Sequence, residues 1–203
     1  MSNALASALC GGDYMLDMAA HGCKGVNFHG GLGKQIAASV GDKLPGVRNA
    51  ADMEIARLGT FYSPWAGDRA EGFSARPLFY AMMLVEQFAE TTMIASTFDA
   101  GGTNATAYAA KTTDGIRIAF FNKDGARDLI VHIGFGSPAQ RARLWRLTGP
   151  RLEAIAGITL AGAEAAYGTA RWRPQTVEDI TIAGSSMSVS IPRASAALMF
   201  VGD

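Results

Sequence analysis

The fold is decided by the stretch Gly115-Ile-Arg-Ile-Ala-Phe-Phe-Asn-Lys-Asp-Gly-Ala-Arg-Asp-Leu-Ile-Val-His-Ile-Gly-Phe135. It contains two runs in which apolar side chains recur at every second residue, the period of a strand with one buried side. The apolar members are Ile116, Ile118 and Phe120 in the first run, and Leu129, Val131 and Ile133 in the second. Between the runs, Asn122-Lys-Asp-Gly125 predicts a tight turn with Gly125 at positive φ. We therefore predict a β-hairpin here, at the centre of a β-sandwich.

Similar short runs surround this hairpin, and turn signals separate them at intervals of about ten residues, as in antiparallel sandwiches. The predicted strands are residues 104–111, 141–147, 177–182, 187–191 and 196–201, with a further short one within residues 157–162. The second half of the chain is therefore predicted to be an antiparallel β-sandwich, and the protein to be mainly β.

The first half has a different character. Apolar residues at helical spacing predict a helix up to about His21, with Gly22 ending it, and a second long helix that begins at Arg76-Pro77. Between them, Gly25–His29 is typical of a short buried strand, and residues 50–57 of a short helix. We divide the chain into a helix–strand–loop–helix segment, residues 1–94, and a sandwich domain, residues 95–203. A single buried strand cannot satisfy its own backbone, so the segment must repack against the sandwich, pair with another chain or fray.

Composition excludes several classes of function. The 203 residues are 49% hydrophobic and 18% charged, so the chain should fold, and the formal net charge of zero argues against nucleic acid or an anionic membrane as partner. No apolar run reaches the roughly 18 residues that span a bilayer. Cys10 and Cys23 fit neither a CxxC pair nor a zinc site and are predicted to be free thiols in the core. The glycine cluster that precedes Lys34 lacks phosphate-loop spacing, and no histidine shows metal-ligand spacing, so we expect no cofactor and no metal.

The stretch Gly25-Val-Asn-Phe-His-Gly-Gly31 is the candidate site. It places Asn27 and His29 on one side of a strand end, followed by glycines whose backbone N–H groups are accessible. Amide and imidazole groups beside free N–H groups suit the recognition of hydroxyls and a carboxylate. The alternative is a tight strand-to-loop turn that contains a hydrogen-bonded histidine.

Several stretches, in this order, resemble glycoside hydrolase family 79, the group of β-glucuronidases and heparanase-like enzymes. They are Asp13-Tyr-Met-Leu-Asp17, Gly25–Gly31, Tyr62-Ser-Pro64, Pro77-Leu-Phe-Tyr80, Ile118-Ala-Phe-Phe-Asn-Lys-Asp124 and Ala194-Ser-Ala-Ala197. The resemblance implies a (β/α)8 barrel with a C-terminal β-sandwich beside it, and residues 1–94 would correspond to the last barrel units. It also implies that Asn27, His29, Gly30, Gly31 and Tyr62 contact a glucuronate-containing carbohydrate.

The chain departs from this family at the catalytic residues. Retaining glycosidases need two carboxylates, one to protonate the leaving group and one to attack the anomeric carbon. The resemblance places both before Met1, and Glu54, Glu71, Glu86 and Glu90 are better explained as surface charges. We therefore predict the C-terminal portion of a family-79-like retaining glycosidase, without catalytic residues of its own and inactive alone.

Two alternatives stay open. The first is a stand-alone carbohydrate-binding or structural sandwich, in which Trp145, Tyr167 and Trp172 either stack on sugars or, as we expect, pack in the core. The second is a truncated gene product without selected activity. Because the second long helix is apolar on two sides, we also expect self-association, or association with the missing barrel part.

Overall fold

A computed structural model describes residues 3–28, 30, 47–57, 63–70, 72–135, 141–165, 172–182 and 184–202. The helices are α1 (Leu5–Ala20), α2 (Ala50–Arg57) and α3 (Pro77–Glu86). The strands are β1 (Trp65–Asp68), β2 (Gly72–Ala75), β3 (Thr92–Ile94), β4 (Ala105–Lys111), β5 (Ile116–Asn122), β6 (Leu129–Gly134), β7 (Arg141–Thr148), β8 (Thr159–Leu160), β9 (Glu178–Thr181), β10 (Ser186–Ile191) and β11 (Ser195–Val201).

The architecture is mainly β and antiparallel. A large sheet has the strand order β3-β4-β5-β11-β7-β8, with β9 paired to the free part of β7, while β6 and β10 form a separate two-stranded sheet. Every predicted strand of residues 104–201 is present within one or two residues of its expected bounds, so the β-sandwich is confirmed. No described helix is long and apolar enough to cross a membrane.

Two cores lie on the two faces of the large sheet. The first core lies between this sheet and helices α1 and α3, and it includes Leu5, Leu9, Leu84, Phe121 and Leu198. The second core lies between the large sheet and the β6–β10 pair, and it includes Phe120, Val131, Val189, Ile191 and Met199. Neighbouring residues of one strand, such as Phe120 and Phe121, enter different cores because side chains alternate across a strand.

The predicted β5–β6 hairpin is wrong. β5 pairs with β4 and β11, whereas β6 pairs with β10, so the chain crosses from one sheet to the other after Asn122. The two apolar faces still meet, because Ile116, Ile118, Phe120, Leu129, Val131 and Ile133 all belong to the second core. A period of two identifies the buried face of a strand, but it does not identify the hydrogen-bonded neighbour.

Side chains, and not a positive φ, fix the connection between β5 and β6. The buried Asn122 amide donates to the carbonyls of Arg127, at 2.9 Å, and Ile191, at 3.1 Å, while its oxygen accepts from Asp124 N–H. Asp124 accepts from the N–H groups of Ala126 and Arg127 and from the Arg127 guanidinium, and these contacts lower its pKa to about 2. Gly125 does not have a positive φ, so that prediction is wrong. Asn and Asp side chains are typical of turns that are closed in this way.

Helix α1 ends close to its predicted end at His21, and α3 begins at Pro77 as expected. α1 runs without interruption through Gly11 and Gly12, both of which are buried. A Cβ at Gly12 would lie 2.5 Å from Phe121 Cε1, and one at Gly11 would lie 2.4 Å from Leu78 Cδ1. The glycine pair therefore allows α1 to approach the sheet and α3 more closely than any side chain would permit.

Candidate functional site

Two of the five predicted site residues are described by the structure. Asn27 is exposed and Gly30 is exposed, whereas His29, Gly31 and Tyr62 lie outside the described residues. The assignment of all five residues to a sugar site stays a prediction.

The expected buried strand at residues 25–29 is wrong over its described part. Residues 25–28 belong to no strand. Side chains still alternate, because Val26 and Phe28 are half-buried and Gly25 and Asn27 are exposed. Phe28 points towards α1, since its Cε1 lies 3.9 Å from the position of a Cβ on Gly11. A barrel strand needs partners on both sides for its N–H and C=O groups, and the described residues supply none.

A cavity of about 400 Å³ lies between the last turns of α1 and this extended segment. Its lining residues are Tyr14, Met18, Cys23, Gly25, Val26, Asn27 and Phe28. Asn27 contributes an amide that can donate and accept, and Tyr14 and Phe28 contribute aromatic rings. The cavity has the volume of a small-ligand site.

The two cysteines are free, as predicted, but they are exposed and not in the core. Cys23 belongs to the segment that lacks strand partners, so nothing covers its thiol among the described residues, and Sγ lies 4.0 Å from Met18 Sδ. Cys10 lies on the outer side of α1, away from the side that packs on the sheet. A small apolar side chain is buried only when a neighbouring element covers it.

Gly30 lies against Trp65, an aromatic residue to which we assigned no role from the sequence. A Cβ on Gly30 would be 3.8 Å from Trp65 Cη2 and 3.9 Å from Ser63 Oγ. Ser63 is buried, and its hydroxyl donates to the Trp65 carbonyl at 2.7 Å. The signal in the sequence was a tryptophan that directly follows Tyr62-Ser-Pro64, one of the stretches that carry the family resemblance.

Trp65 begins a β-hairpin, β1–β2, that the sequence did not predict. Trp65 is opposite Ala75 and Gly67 is opposite Phe73, so the Trp65 and Phe73 side chains share one face of the hairpin. Gly67 has φ of 126°, and a Cβ there would lie 1.9 Å from the Gly72 carbonyl oxygen. The hairpin was missed because its strands have only four residues each, too few for a clear period of two.

A polar cluster joins α1 to the sandwich. The Asp13 carboxylate accepts hydrogen bonds from the Thr106 hydroxyl at 2.6 Å, from the Tyr108 hydroxyl at 2.7 Å and from the Lys123 ammonium. Burial alone would raise the pKa of Asp13, but the hydrogen bonds from Lys123, Thr106 and Tyr108 outweigh it and hold the pKa below its ordinary value. Burial and the same carboxylate raise the pKa of Tyr108.

This cluster has a structural role. The Asp13 carboxylate stays ionised and already has three donors, so it is unsuited to donate a proton as a general acid. Asp13 and Lys123 both belong to stretches that resemble family 79, and the structure brings these two stretches into contact.

The carboxylates that line cavities do not form a catalytic pair among the described residues. In retaining enzymes the two carboxyl groups flank the scissile bond at about 5–5.5 Å from each other. The cavity beside Asn27 has no carboxylate, and neither has an apolar groove of about 590 Å³ between residues 94–98 and β6. A cavity of about 250 Å³ beside Tyr80 contains only Glu164. The described residues also contain no group of three His, Cys, Asp or Glu side chains that could hold a metal.

The aromatic residues of the alternative sugar face pack as expected. Trp145 meets Trp172 at 5.6 Å and Phe200 at 4.7 Å, both edge-to-face, and both tryptophans lie against the first core. The Arg117 and Arg143 guanidinium groups lie over the Phe200 ring, at 4.7 and 5.5 Å from its centroid. Tyr167 lies outside the described residues. Because these rings pack edge to face against each other, less of their surface is accessible to a ligand.

Comparison with solved structures finds glycoside hydrolases. The chain is similar to a 4-O-α-L-rhamnosyl-β-D-glucuronidase from Fusarium oxysporum 12S, with a TM-score of 0.54 and 20% identity over 70% of this chain and 32% of that one. It is also similar to a thermostable GH51 α-L-arabinofuranosidase from Thermotoga petrophila RKU-1, with a TM-score of 0.50 and 16% identity over 70% of this chain and 32% of that one. The chain therefore has the fold of one part of these enzymes and spans about a third of their length. Neither the known family models nor the curated proteins include a match to the sequence.

Proposed function

We propose that this chain is the C-terminal portion of a family-79-like retaining glycosidase, with the specificity of a β-glucuronidase. It supplies the β-sandwich, the helices packed on it and part of the sugar site, lacks both catalytic carboxylates and is inactive by itself. The observation that carries the proposal is the match with the Fusarium oxysporum enzyme, which covers most of this chain but only a third of a rhamnosyl-glucuronidase.

Two further observations support this proposal. The stretches that resemble family 79 are far apart in the sequence, yet Asp13 of one contacts Lys123 of another, as expected if the helices and the sandwich form one structural unit. The segment at residues 25–28 is extended but unpaired within the described residues, as expected for a barrel strand whose neighbours belong to another part of the enzyme.

Hydrolysis of an aryl β-glucuronide by the purified chain tests the catalytic part. We expect no turnover above the buffer, because retaining hydrolysis needs two carboxylates across one pocket. Glu164→Gln is the informative variant, because Glu164 is the carboxylate that lines a cavity with the buried Tyr80. Turnover by the parent chain that Glu164→Gln abolishes would overturn the inactive assignment.

Ligand titration tests the specificity. In NMR titrations we expect D-glucuronate to shift resonances of residues 25–30 and L-arabinose to leave them unchanged. Asn27→Ala should abolish the response, while Asn104→Ala, a substitution of an exposed asparagine before β4, should preserve it. A stronger response to arabinose would instead favour an arabinofuranosidase-like specificity.

The alternative proposal is a stand-alone carbohydrate-binding sandwich. The observation in its favour is the group of Arg117, Arg143 and Phe200 beside Trp145, which places two cations near aromatic rings on one face of the sheet. Glucuronate binding that is lost in Trp172→Ala but kept in Asn27→Ala would favour this alternative. The reverse pattern would favour the barrel-derived site.

A further inference from the structure

Two sulfur atoms meet at the C-terminal end of α1. Cys23 Sγ lies 4.0 Å from Met18 Sδ, and both residues line the cavity of about 400 Å³ beside Asn27. Cys23 is exposed and Met18 is half-buried, so the pair is accessible from the cavity. Histidine, cysteine and carboxylate side chains alone form no three-ligand metal group among the described residues, so a metal site here would depend on the methionine.

Backbone hydrogen bonds hold these two residues together. Cys23 N–H donates to the Met18 carbonyl at 2.9 Å, and Gly22 N–H donates to the Ala19 carbonyl at 3.0 Å. Gly22 has φ of 84°, so these bonds form the Schellman motif, which ends many helices. The motif often includes a contact between apolar side chains at the positions of Met18 and Cys23. Here the two side chains are a thioether and a thiol, and both can bind a metal.

The geometry of the sulfur pair suits a soft, singly charged ion. With metal–sulfur bonds of about 2.3 Å, two sulfurs 4.0 Å apart form an angle of about 120° at the ion. That angle leaves a third coordination position, which can face the cavity. Thiolate and thioether ligands select copper(I), whereas structural zinc takes four ligands and calcium and magnesium take oxygen ligands.

We propose that Cys23 and Met18 bind a copper(I) ion. The Cys23 thiol loses its proton to solvent when the copper–sulfur bond forms, Met18 contributes a neutral thioether, and the oxidation state of the copper does not change. The thiolate and the ion then carry no net charge together, which suits a site that also contains the rings of Tyr14 and Phe28. The site is independent of the proposed function, because it needs neither a sugar nor the missing barrel part.

Competition for copper(I) tests the site. The whole reduced chain is mixed with copper(I) and the chelator bicinchoninic acid, with ascorbate and without oxygen, and the loss of the coloured copper–chelator complex measures the affinity. We expect one ion to bind per chain. Cys23→Ser should abolish this binding, and Met18→Leu should weaken it at least about tenfold, because the loss of an outer-shell partner alone costs that much. Leucine and methionine are similar in volume, so Met18→Leu should keep the Tm of the parent chain.

Cys10→Ser is the matched control, because Cys10 is the other cysteine of the chain and is also free and exposed. It should leave the affinity and the stoichiometry unchanged. X-ray absorption at the copper edge gives a second readout that a change in folding would not mimic. We expect two protein sulfur neighbours at about 2.3 Å in the parent chain and one in Met18→Leu.

Three results would overturn the copper(I) site. The parent chain could fail to remove copper(I) from the chelator. Met18→Leu could bind as tightly as the parent chain, which would show that the thiol holds the ion without the thioether. Cys10→Ser could lose as much affinity as Cys23→Ser, which would show that the ion is held between cysteines and not by the sulfur pair. None of these results bears on the proposed function, which is tested with sugars.

Discussion

Strand β11 and the extended segment at residues 23–28 have similar lengths and opposite environments. β11 has hydrogen-bonded neighbours on both sides, β5 and β7, and all seven of its residues are buried. In residues 23–28 four residues are exposed, and the described part of the chain provides no ladder for them. The difference shows that an apolar extended run becomes a strand only where neighbours satisfy its N–H and C=O groups.

The two regions also differ in whether their residues lie in closed cores or line open surfaces. The sandwich has two closed cores on either side of one sheet, and a groove of about 590 Å³ lies beside β6. The region that includes residues 14–30 and the β1–β2 hairpin has the Asn27 cavity and the exposed Trp65 and Phe73. We therefore expect substitutions in the sandwich to change the free energy of unfolding, and substitutions around Gly30 to change ligand binding.

The largest expected effect is that of Phe121→Ala. Phe121 is fully buried in the first core, between Gly12 of α1 and Tyr108 of β4. Its truncation should lower the free energy of unfolding by about 3–5 kcal/mol, measured by urea denaturation. Phe73→Ala is the matched control at a half-exposed phenylalanine, and it should stay within about 0.5 kcal/mol. Equal effects of the two substitutions would contradict the expected difference in stability between the two regions.

Gly12→Ala should have an intermediate effect. Alanine is the better helix former, by about 1 kcal/mol, but its Cβ would lie 2.5 and 2.9 Å from two carbons of the Phe121 ring. The ring is held in the core, so overpacking should dominate, with a net loss of about 1–2 kcal/mol. Gly25→Ala, at a position with no atom within 4 Å, is the control and should be neutral. A stabilised Gly12→Ala would show that α1 is not tightly packed on the sheet.

Asp13→Asn should have the smallest effect and lower the free energy of unfolding by about 1 kcal/mol at pH 7, because one charged hydrogen-bond partner becomes neutral in a partly exposed cluster. The folded pKa of Asp13 is below its ordinary value of 3.8, so its contribution to stability is present above that pH and is lost as the pH falls through the folded pKa. The variant should therefore be less sensitive to acid below about pH 4 than the parent chain.

Asp17→Asn is the control for this pH dependence, because Asp17 lies one turn further along α1 and its side chain is half-exposed. Its acid unfolding curve should match that of the parent chain. If Asp13→Asn and Asp17→Asn have the same acid midpoint as the parent, the Asp13 cluster does not hold the helix to the sandwich.

Part of the candidate site could be predicted from the sequence and part could not. Asn27 and Gly30 stand out because a polar residue and glycines follow an apolar run, a local pattern. Trp65 could not be assigned, because its contact with Gly30 spans 35 positions and depends on a hairpin whose strands contain Gly67 and Gly72 at positive φ. The Asp13 cluster could not be predicted either, because the partners of Asp13 are 93 to 110 residues away in the chain.

The sequence by itself determined where most of the helices and strands lie along the chain. Period-two runs located the sandwich strands to within one or two residues, and Pro77 and Gly22 marked the beginning of one helix and the end of another, because side-chain alternation and backbone restrictions act locally. The tertiary structure alone decided the pairing. It placed β5 and β6 in different sheets, gave residues 25–28 no strand partner among the described residues and gave Gly12 its contact with Phe121. The reason is that hydrogen bonds and packing between distant segments depend on which surfaces meet in space.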